Sequence, residues 1–319
     1  MSNANIHGFG DNNDNDNNKE TNGGNNYYFT SREQDSTPIY EKFNYKGDPR
    51  NQSIISYLKE AVCPMFYFKS FSFIIIVINI VVYIVSLFPN GFQTTELGIS
   101  FLPPNYETLD LFGDLSGRKI RQKPYQSYRW ITNNFLHASF EHIFANCFSI
   151  LIIGTMFEYL IGTWRYIVIY FISGILGSLF SVLCSPDDSS VGASISVCGL
   201  ISGLFAFFII NWNALPEIFG TNNKCMIIMF PLMMLFLSLP LVFSTTSGSG
   251  IDYSSRINFY GHLGGIIFGF FASFIFVKPK GESDAACLPY KYWFYIGIIV
   301  CCLFTIAGFL CFYLLDNFK

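Results

Sequence analysis

GHLGGIIFGFFASFIFV, residues 261–277, decides the fold. It is apolar and glycine-rich, and it runs between Arg256 and Lys278 without a single charged side chain. With the residues just before it, the run approaches the ~20 residues needed to cross a bilayer. One histidine, His262, sits near its start. Six more apolar stretches accompany it, giving spans at 70–89, 142–161, 166–184, 193–212, 225–243, 258–277 and 293–315. The expected fold class is an all-α polytopic membrane protein.

Composition agrees. The chain of 319 residues is 51% hydrophobic, 18% aromatic and 13% charged, with a mean hydropathy of +0.37. A soluble domain carries roughly 25% charged residues. No Lys/Arg-rich run points to a nucleic-acid partner. The nine cysteines are scattered, with no CxxC pair and no zinc spacing, so they read as small buried hydrophobes; no metal and no cofactor is expected.

Residues 1–60 are polar and Asn-biased, as in DNNDNDNNKETNGGNN (11–26), and have too little apolar surface to fold. A disordered cytosolic tail is expected there. The acids Asp11, Asp14, Asp16, Glu20, Glu33 and Asp35 argue against a mitochondrial presequence. The first apolar segment, far from Met1, reads as an internal signal anchor rather than a cleaved signal.

Basic residues orient the spans. With a cytosolic N-terminus, Lys59, Lys69, Arg165, Lys224, Lys278, Lys280 and Lys291 all fall on the cytosolic side. The opposite short loops, 185–192 and 244–257, hold only Arg256. This is a positive-inside pattern, and seven spans place the C-terminus on the non-cytosolic side. The long loop 90–141 counts little in that rule.

Polar residues within the spans then converge. Histidine and asparagine are costly in hydrocarbon, so each is a candidate functional residue. Ser194, in VGASISVCGLISG, lies six residues past Asp188, ~9 Å deep if helical throughout. His262 lies six residues past Arg256, at the same depth by the same rise. His142 and Asn146, four apart, share one helix face near the start of the second span. Four polar residues from three spans thus fall in one leaflet. Gly199 with Gly203, and Gly261 with Gly265 and Gly269, repeat at the four-residue spacing that lets membrane helices approach closely.

A serine close to a histidine is the minimum equipment for nucleophilic hydrolysis. Ser194 is the candidate nucleophile and His262 the candidate base. No carboxylate sits in the spans at matching depth, so a dyad is expected. His142, Asn146 and the Ser194 amide are candidate donors to an oxyanion. Gly192 would let the backbone turn before the serine. Against this, a lone membrane serine more often bonds a backbone carbonyl, and Asn146 alone could serve only to hold helices together. Glu158, near the cytosolic end of the second span, reads as a structural helix–loop anchor.

These residues resemble the rhomboid family of intramembrane serine proteases. YRWITNNFLHASFEHIFAN (128–146) is similar to its aromatic–Arg, F-x-H and HxxxN pattern at Arg129, His137, His142 and Asn146; GASI (192–195) to its GxSx motif; and GHLGGIIFG (261–269) to the histidine–glycine motif of its sixth helix. The resemblance covers 125–275 specifically and 65–315 in architecture. It implies a rhomboid-like six-helix bundle plus a seventh C-terminal transmembrane helix, as in eukaryotic secretory-pathway members; the mitochondrial type adds its helix before the core. The implied domains are a tail at 1–60, a catalytic core at 66–277 with its first loop at 90–141, and a linker with the seventh helix at 278–319.

The same resemblance implies a catalytic dyad of Ser194 and His262, oxyanion stabilisation by His142 and Asn146, and structural anchors at Arg129 and His137. Gly192, Gly265 and Gly269 belong to the matching motifs, and with Gly199 they are expected to be structural residues near the site. Two positions depart from the family pattern: Ile195 stands where many members have glycine, and Tyr128 precedes Arg129 where tryptophan is frequent, with Trp130 displaced by one.

The expected activity is endoproteolysis of single-span membrane proteins with a non-cytosolic N-terminus, near the outer end of the span. The chain's partners would be these substrates and the lipid bilayer, in the secretory pathway or plasma membrane. The loop 244–257, with SGSGIDYSS (247–255), suits a mobile cap. Two rivals remain at this point. One is a non-catalytic rhomboid-like protein that escorts membrane clients. The other is a transporter, which predicts polar residues through both leaflets, such as Asn79, and an inverted repeat that the chain lacks.

Overall fold

In the computed structural model, residues 65–91, 101–229, 232–233, 258–280 and 288–314 are described. The chain divides into Met1–Thr37 and Pro38–Lys319, and every described residue belongs to the second unit. The expected tail, the cap at 244–257 and most of the span at 225–243 lie outside the described residues. The described residues form an all-α bundle with helices apolar enough to cross a membrane. Its long helices are α1 (Phe71–Ser86), α4 (Phe140–Ile161), α5 (Thr163–Cys184), α6 (Ser194–Ile210), α7 (Phe259–Phe276) and α8 (Tyr290–Leu314). The first loop adds two short helices, α2 (Tyr106–Phe112) and α3 (Gly117–Gln122). Four of the long helices, α4, α5, α7 and α8, are long and apolar enough to span a membrane.

α1 shows how lipid reverses the usual amphipathic pattern. Its buried stripe is Ser72, Ile75, Asn79, Tyr83 and Ser86, spaced three and four apart and mostly polar. Its exposed face is Ile74, Val77, Ile78, Ile80, Val81, Ile84 and Val85. In water the apolar face would turn inward; here hydrocarbon takes its place. Side chains also fasten the helix at both ends. Ser70 caps its N-terminus by accepting from the Phe73 amide, and the Tyr83 hydroxyl donates to the Leu102 carbonyl at 2.6 Å.

Glu158 joins α1 to α4. It is fully buried, and its carboxylate accepts from the amides of Phe71 and Ser72 at 2.8 Å. The hydroxyls of Tyr67, Ser72 and Thr163 also donate to it. Helix N-terminal amides lack intrahelical partners, and a carboxylate there meets both the orphan donors and the helix dipole. α4 itself contains a π turn at Ile150–Gly154, against which α1 packs.

α5, α6 and α7 form the interior, and glycine brings their backbones into contact. A Cβ on Gly269 would overlap the backbone of Gly199, and one on Gly264 would stand 2.8 Å from the Gly177 Cα. α6 is buried along almost its whole length. It is also short: 17 residues rise only ~26 Å, against a hydrocarbon core of ~30 Å. The depth inferred for Ser194 assumed helix from Asp188 onward. In fact, residues 185–193 are a turn, a two-residue strand and a glycine bend, and Ser194 is the first residue of α6.

The described part of the first loop is folded. Its strand β1 (Leu115–Ser116) pairs antiparallel with β2 (Ser189–Ser190), Leu115 opposite Ser190 and Ser116 opposite Ser189. The stretch leading into Ser194 is thereby tied to the first loop. Trp130, one place beyond the usual aromatic position, packs edge-on against Phe309 and Phe312 of α8. With Leu115, Ile120, Leu179 and Val182 it forms a second small core between the loop, α5 and the last helix.

Candidate active site

Ser194 and His262 meet. The Nε2 of His262 lies 2.7 Å from the Oγ of Ser194, across 68 residues of sequence. Both side chains are buried, with relative exposures of 4% and 7%. A hydrogen bond of this length lets imidazole take the hydroxyl proton during attack on an electrophile. As the first residue of α6, Ser194 sits among first-turn amides that have no carbonyl partner within the helix. Donors aimed at one point in a water-poor site are what a developing oxyanion requires.

Gly192 holds φ at +131°. A Cβ there would stand 2.7 Å from the His142 ring and 3.4 Å from the Ser194 Oγ, so only glycine permits the imidazole of His142 to approach the serine from this side. The Gly192 amide donates to the Asn133 carbonyl at 2.8 Å. Asn146 lies one turn beyond His142 in α4, buried, with its Nδ2 donating to the His142 carbonyl at 3.0 Å. Its amide therefore bonds its own helix here and makes no hydrogen bond to Ser194. Its Oδ1 is buried without a hydrogen-bond partner.

His137 is fully buried outside the spans, its ring edge-on to that of His142 with centroids 5.2 Å apart. Burial holds its pKa well below the usual imidazole value, and the neighbouring His142 adds to this; the Phe135 carbonyl opposes them only weakly. Neutral His137 thus supports His142 by packing. Ser139 caps α4 and accepts from the His142 amide, which fixes the turn from which His142 projects.

Arg129 organises the first loop. Its guanidinium is almost fully buried. It donates to the carbonyls of Asp114 at 2.8 Å and Asp110 at 2.9 Å, and to Gln126 Oε1 at 2.7 Å, while pairing with both aspartate side chains. Burial would raise the Asp110 pKa, but Lys119 and Arg129 overcome it and hold the carboxyl low. The more enclosed Asp114 goes the other way, because burial outweighs the pull of Arg129.

Of the glycines singled out from sequence, Gly199, Gly265 and Gly269 line the seam between α6 and α7. A Cβ on Gly265 would collide with the Ile195 carbonyl. Ile195, the departure from glycine after the serine, fills a slot between Gly177 and Gly265. It packs helices, on residues other than Gly192, which stands two positions before the serine. Glu158 stands away from Ser194, at the far end of α4.

Several polar residues at the site were missed in sequence. Asn134 accepts from Ser196 at 3.1 Å, and Asn133 joins Arg129, Ser178 and Gly192. Asn258 begins α7 and bonds Ser181 and Ser190. For Asn258 a signal existed, since asparagine just before an apolar run is a helix N-cap pattern. Among the described residues, no group of three or more His, Cys, Asp or Glu is placed to hold a metal ion.

Residues 124–279 match the family model described as Rhomboid domain. The chain is similar to RHOMBOID-like protein 4 of Arabidopsis thaliana, 26% identical over 260 residues, which are 74% of this chain and 61% of that protein. It is similar to Rhomboid-like protease 3 of Toxoplasma gondii, 32% identical over 166 residues, covering 52% and 57% of the two chains. It is also similar to Inactive RHOMBOID-like protein 8 of Arabidopsis thaliana, 35% identical over 112 residues, covering 35% and 32%. The chain spans about three fifths of the length of the curated relatives it matches.

Proposed function

Since this chain belongs to the rhomboid family, we propose that it is an intramembrane serine endopeptidase working through Ser194 and His262. The 2.7 Å bond between His262 Nε2 and Ser194 Oγ carries the reading. Ser194 Oγ attacks the scissile carbonyl carbon as His262 takes its proton. The carbonyl oxygen becomes an oxyanion, met by the Ser194 amide and the His142 imidazole, with Asn146 joining once its amide turns from the helix. Collapse breaks the C–N bond, and the amine leaves with the proton from His262. Water then attacks the acyl-enzyme, giving a proton to His262, which returns it to Ser194 Oγ as the second product leaves.

The substrates are membrane proteins with a single span and a non-cytosolic N-terminus, cut near the outer end of that span. A helix hides its carbonyls in hydrogen bonds, so local unwinding precedes attack, and helix-weakening residues near the cut favour it. The core is 66–277, preceded by the tail 1–60 and followed by the linker and last helix at 278–319. The site faces the non-cytosolic side, with the N-terminus cytosolic and the protein in the secretory pathway or plasma membrane.

The test is cleavage of a single-span reporter by the full-length protein in liposomes, comparing wild type with Ser194→Ala and His262→Ala. Wild type is expected to cut, and neither folded variant to do so. Cleavage that survives Ser194→Ala would sink the mechanism. The similarity to a relative named inactive makes escort of membrane clients the second reading. Client binding by a folded wild type that cuts no helix-weakened reporter would favour it.

A further inference from the structure

Asn258 is the N-cap of α7, four residues before His262. Its Oδ1 accepts from the Gly261 amide at 2.7 Å and from the Ser181 hydroxyl, near the end of α5, at 2.6 Å. Its Nδ2 donates to the Ser190 Oγ at 2.9 Å. Ser190 belongs to β2, four residues before Ser194. The His262 amide donates to the Asn258 carbonyl at 3.0 Å. One short side chain therefore touches the helix bearing His262, the neighbouring α5 and the strand leading to Ser194.

We propose that Asn258 is a positioning residue that sets the register of His262 against Ser194. The seam between α6 and α7 is made of small residues, with Gly269 on Gly199 and Gly265 on the Ile195 carbonyl. Glycine contacts fix how closely two helices approach. They offer few side-chain knobs to resist sliding along the axis or rotation about it. The Ser194–His262 bond tolerates little of either, since a misplacement of ~1 Å costs on the order of 100-fold in rate. The ties of Asn258 act within about one helical turn of both reacting residues, where they suppress that freedom directly. Ser190 is itself held by pairing with Leu115, so the tie ends on a fixed point.

The inference rests on the protease reading above. Asn258→Ser keeps an oxygen to cap the Gly261 amide but is too short to hold Ser181 and Ser190 as well. Asn258→Asp keeps acceptors for the amide and for both serine hydroxyls. The full-length protein is assayed for kcat and KM on a single-span reporter, for thermal unfolding, and for labelling of Ser194 by a fluorophosphonate. In that labelling Ser194 Oγ bonds phosphorus, the P–F bond breaks, fluoride leaves, and the hydroxyl proton passes to His262.

Asn258→Ser is expected to lower kcat about 10-fold or more and to slow labelling in parallel, with KM and melting temperature near wild type. Asn258→Asp is expected to restore both rates. Wild-type kcat and labelling in Asn258→Ser would reduce Asn258 to a helix cap and overturn the inference alone. Parallel loss of melting temperature and kcat that the aspartate does not restore would overturn it too, as a purely structural effect. A wild type that neither cuts nor labels at Ser194 would sink the protease reading and this inference with it.

Discussion

The inner helices α5, α6 and α7 and the outer helices α1 and α8 are joined to the same bundle by different means. Inside, backbone rests on backbone through Gly177, Gly199, Gly264, Gly265 and Gly269. Outside, side chains do most of the fastening. α1 is held by polar bonds at its ends, with Glu158 at one and Tyr83 at the other. α8 is held by the close approach of Gly297 to the Phe271 carbonyl and by the Tyr290 hydroxyl donating to the Val277 carbonyl at 2.9 Å, with ring contacts added by Trp293 stacked on Phe274 and Phe312 against Trp130. The lesson is that in lipid, where burying apolar surface between helices gains little over leaving it in hydrocarbon, either close backbone approach or specific polar bonds must supply the attraction.

The largest effect should come from breaking the inner seam. Gly269→Val places methyls where the Gly199 backbone lies, and no rotamer avoids it. Loss of about 3 kcal/mol or more is expected, with no cleavage, read as thermal unfolding in detergent. A variant that melts like wild type would mean that the helices slide apart freely, which would break the contrast.

Next is Glu158→Ala, which strips the acceptor from two buried amides and three hydroxyls. About 3 kcal/mol is expected, seen as lower thermal stability together with protease sensitivity in α1 before the remaining helices. Simultaneous cutting throughout the bundle would show that α1 is no separate attachment.

Phe312→Ala tests the apolar attachment of α8. A cost of about 2 kcal/mol is expected, below the ~3–5 of a soluble core because lipid chains refill the gap. Fluorescence of Trp130 should shift as its partner ring is lost; an unchanged spectrum with unchanged melting would remove α8 from the first-loop core.

The smallest effect sharpens the contrast with the first loop, which is held by ions and hydrogen bonds. His137 is buried with its pKa well below the ordinary 6.5. Below that value the unfolded chain binds a proton that the folded chain does not, so folding stability declines as pH falls. Between pH 7.5 and 5.5 the loss is about 1.4 kcal/mol for a fully suppressed group. His137→Gln should reduce the loss of folding free energy between these pH values by about 1.4 kcal/mol, read as a smaller fall in melting temperature; equal pH dependence in both proteins would argue against a neutral, buried His137.

Much of the bundle was legible from hydrophobic runs. The expected spans 70–89, 142–161, 166–184, 193–212, 258–277 and 293–315 correspond to α1, α4, α5, α6, α7 and α8 within a few residues. Less was legible in the first loop, read as one long connection. Its helices are too short for a periodic signal, and the pairing of Leu115 with Ser190 joins segments 75 residues apart. Nor did the residues say that Trp130 would face α8.

By itself the sequence determined which segments form helices apolar enough to suit lipid, because the cost of burying polar groups in hydrocarbon is local and additive along the chain. It also determined which spans carry a serine, two histidines and an asparagine. Only the tertiary structure decided that His262 Nε2 stands 2.7 Å from Ser194 Oγ, and that Asn146 bonds its own helix rather than the serine. It likewise decided that Asn258 ties three elements together. These distances follow from how helices rotate and slide against one another, and that is governed by contacts between residues far apart in sequence.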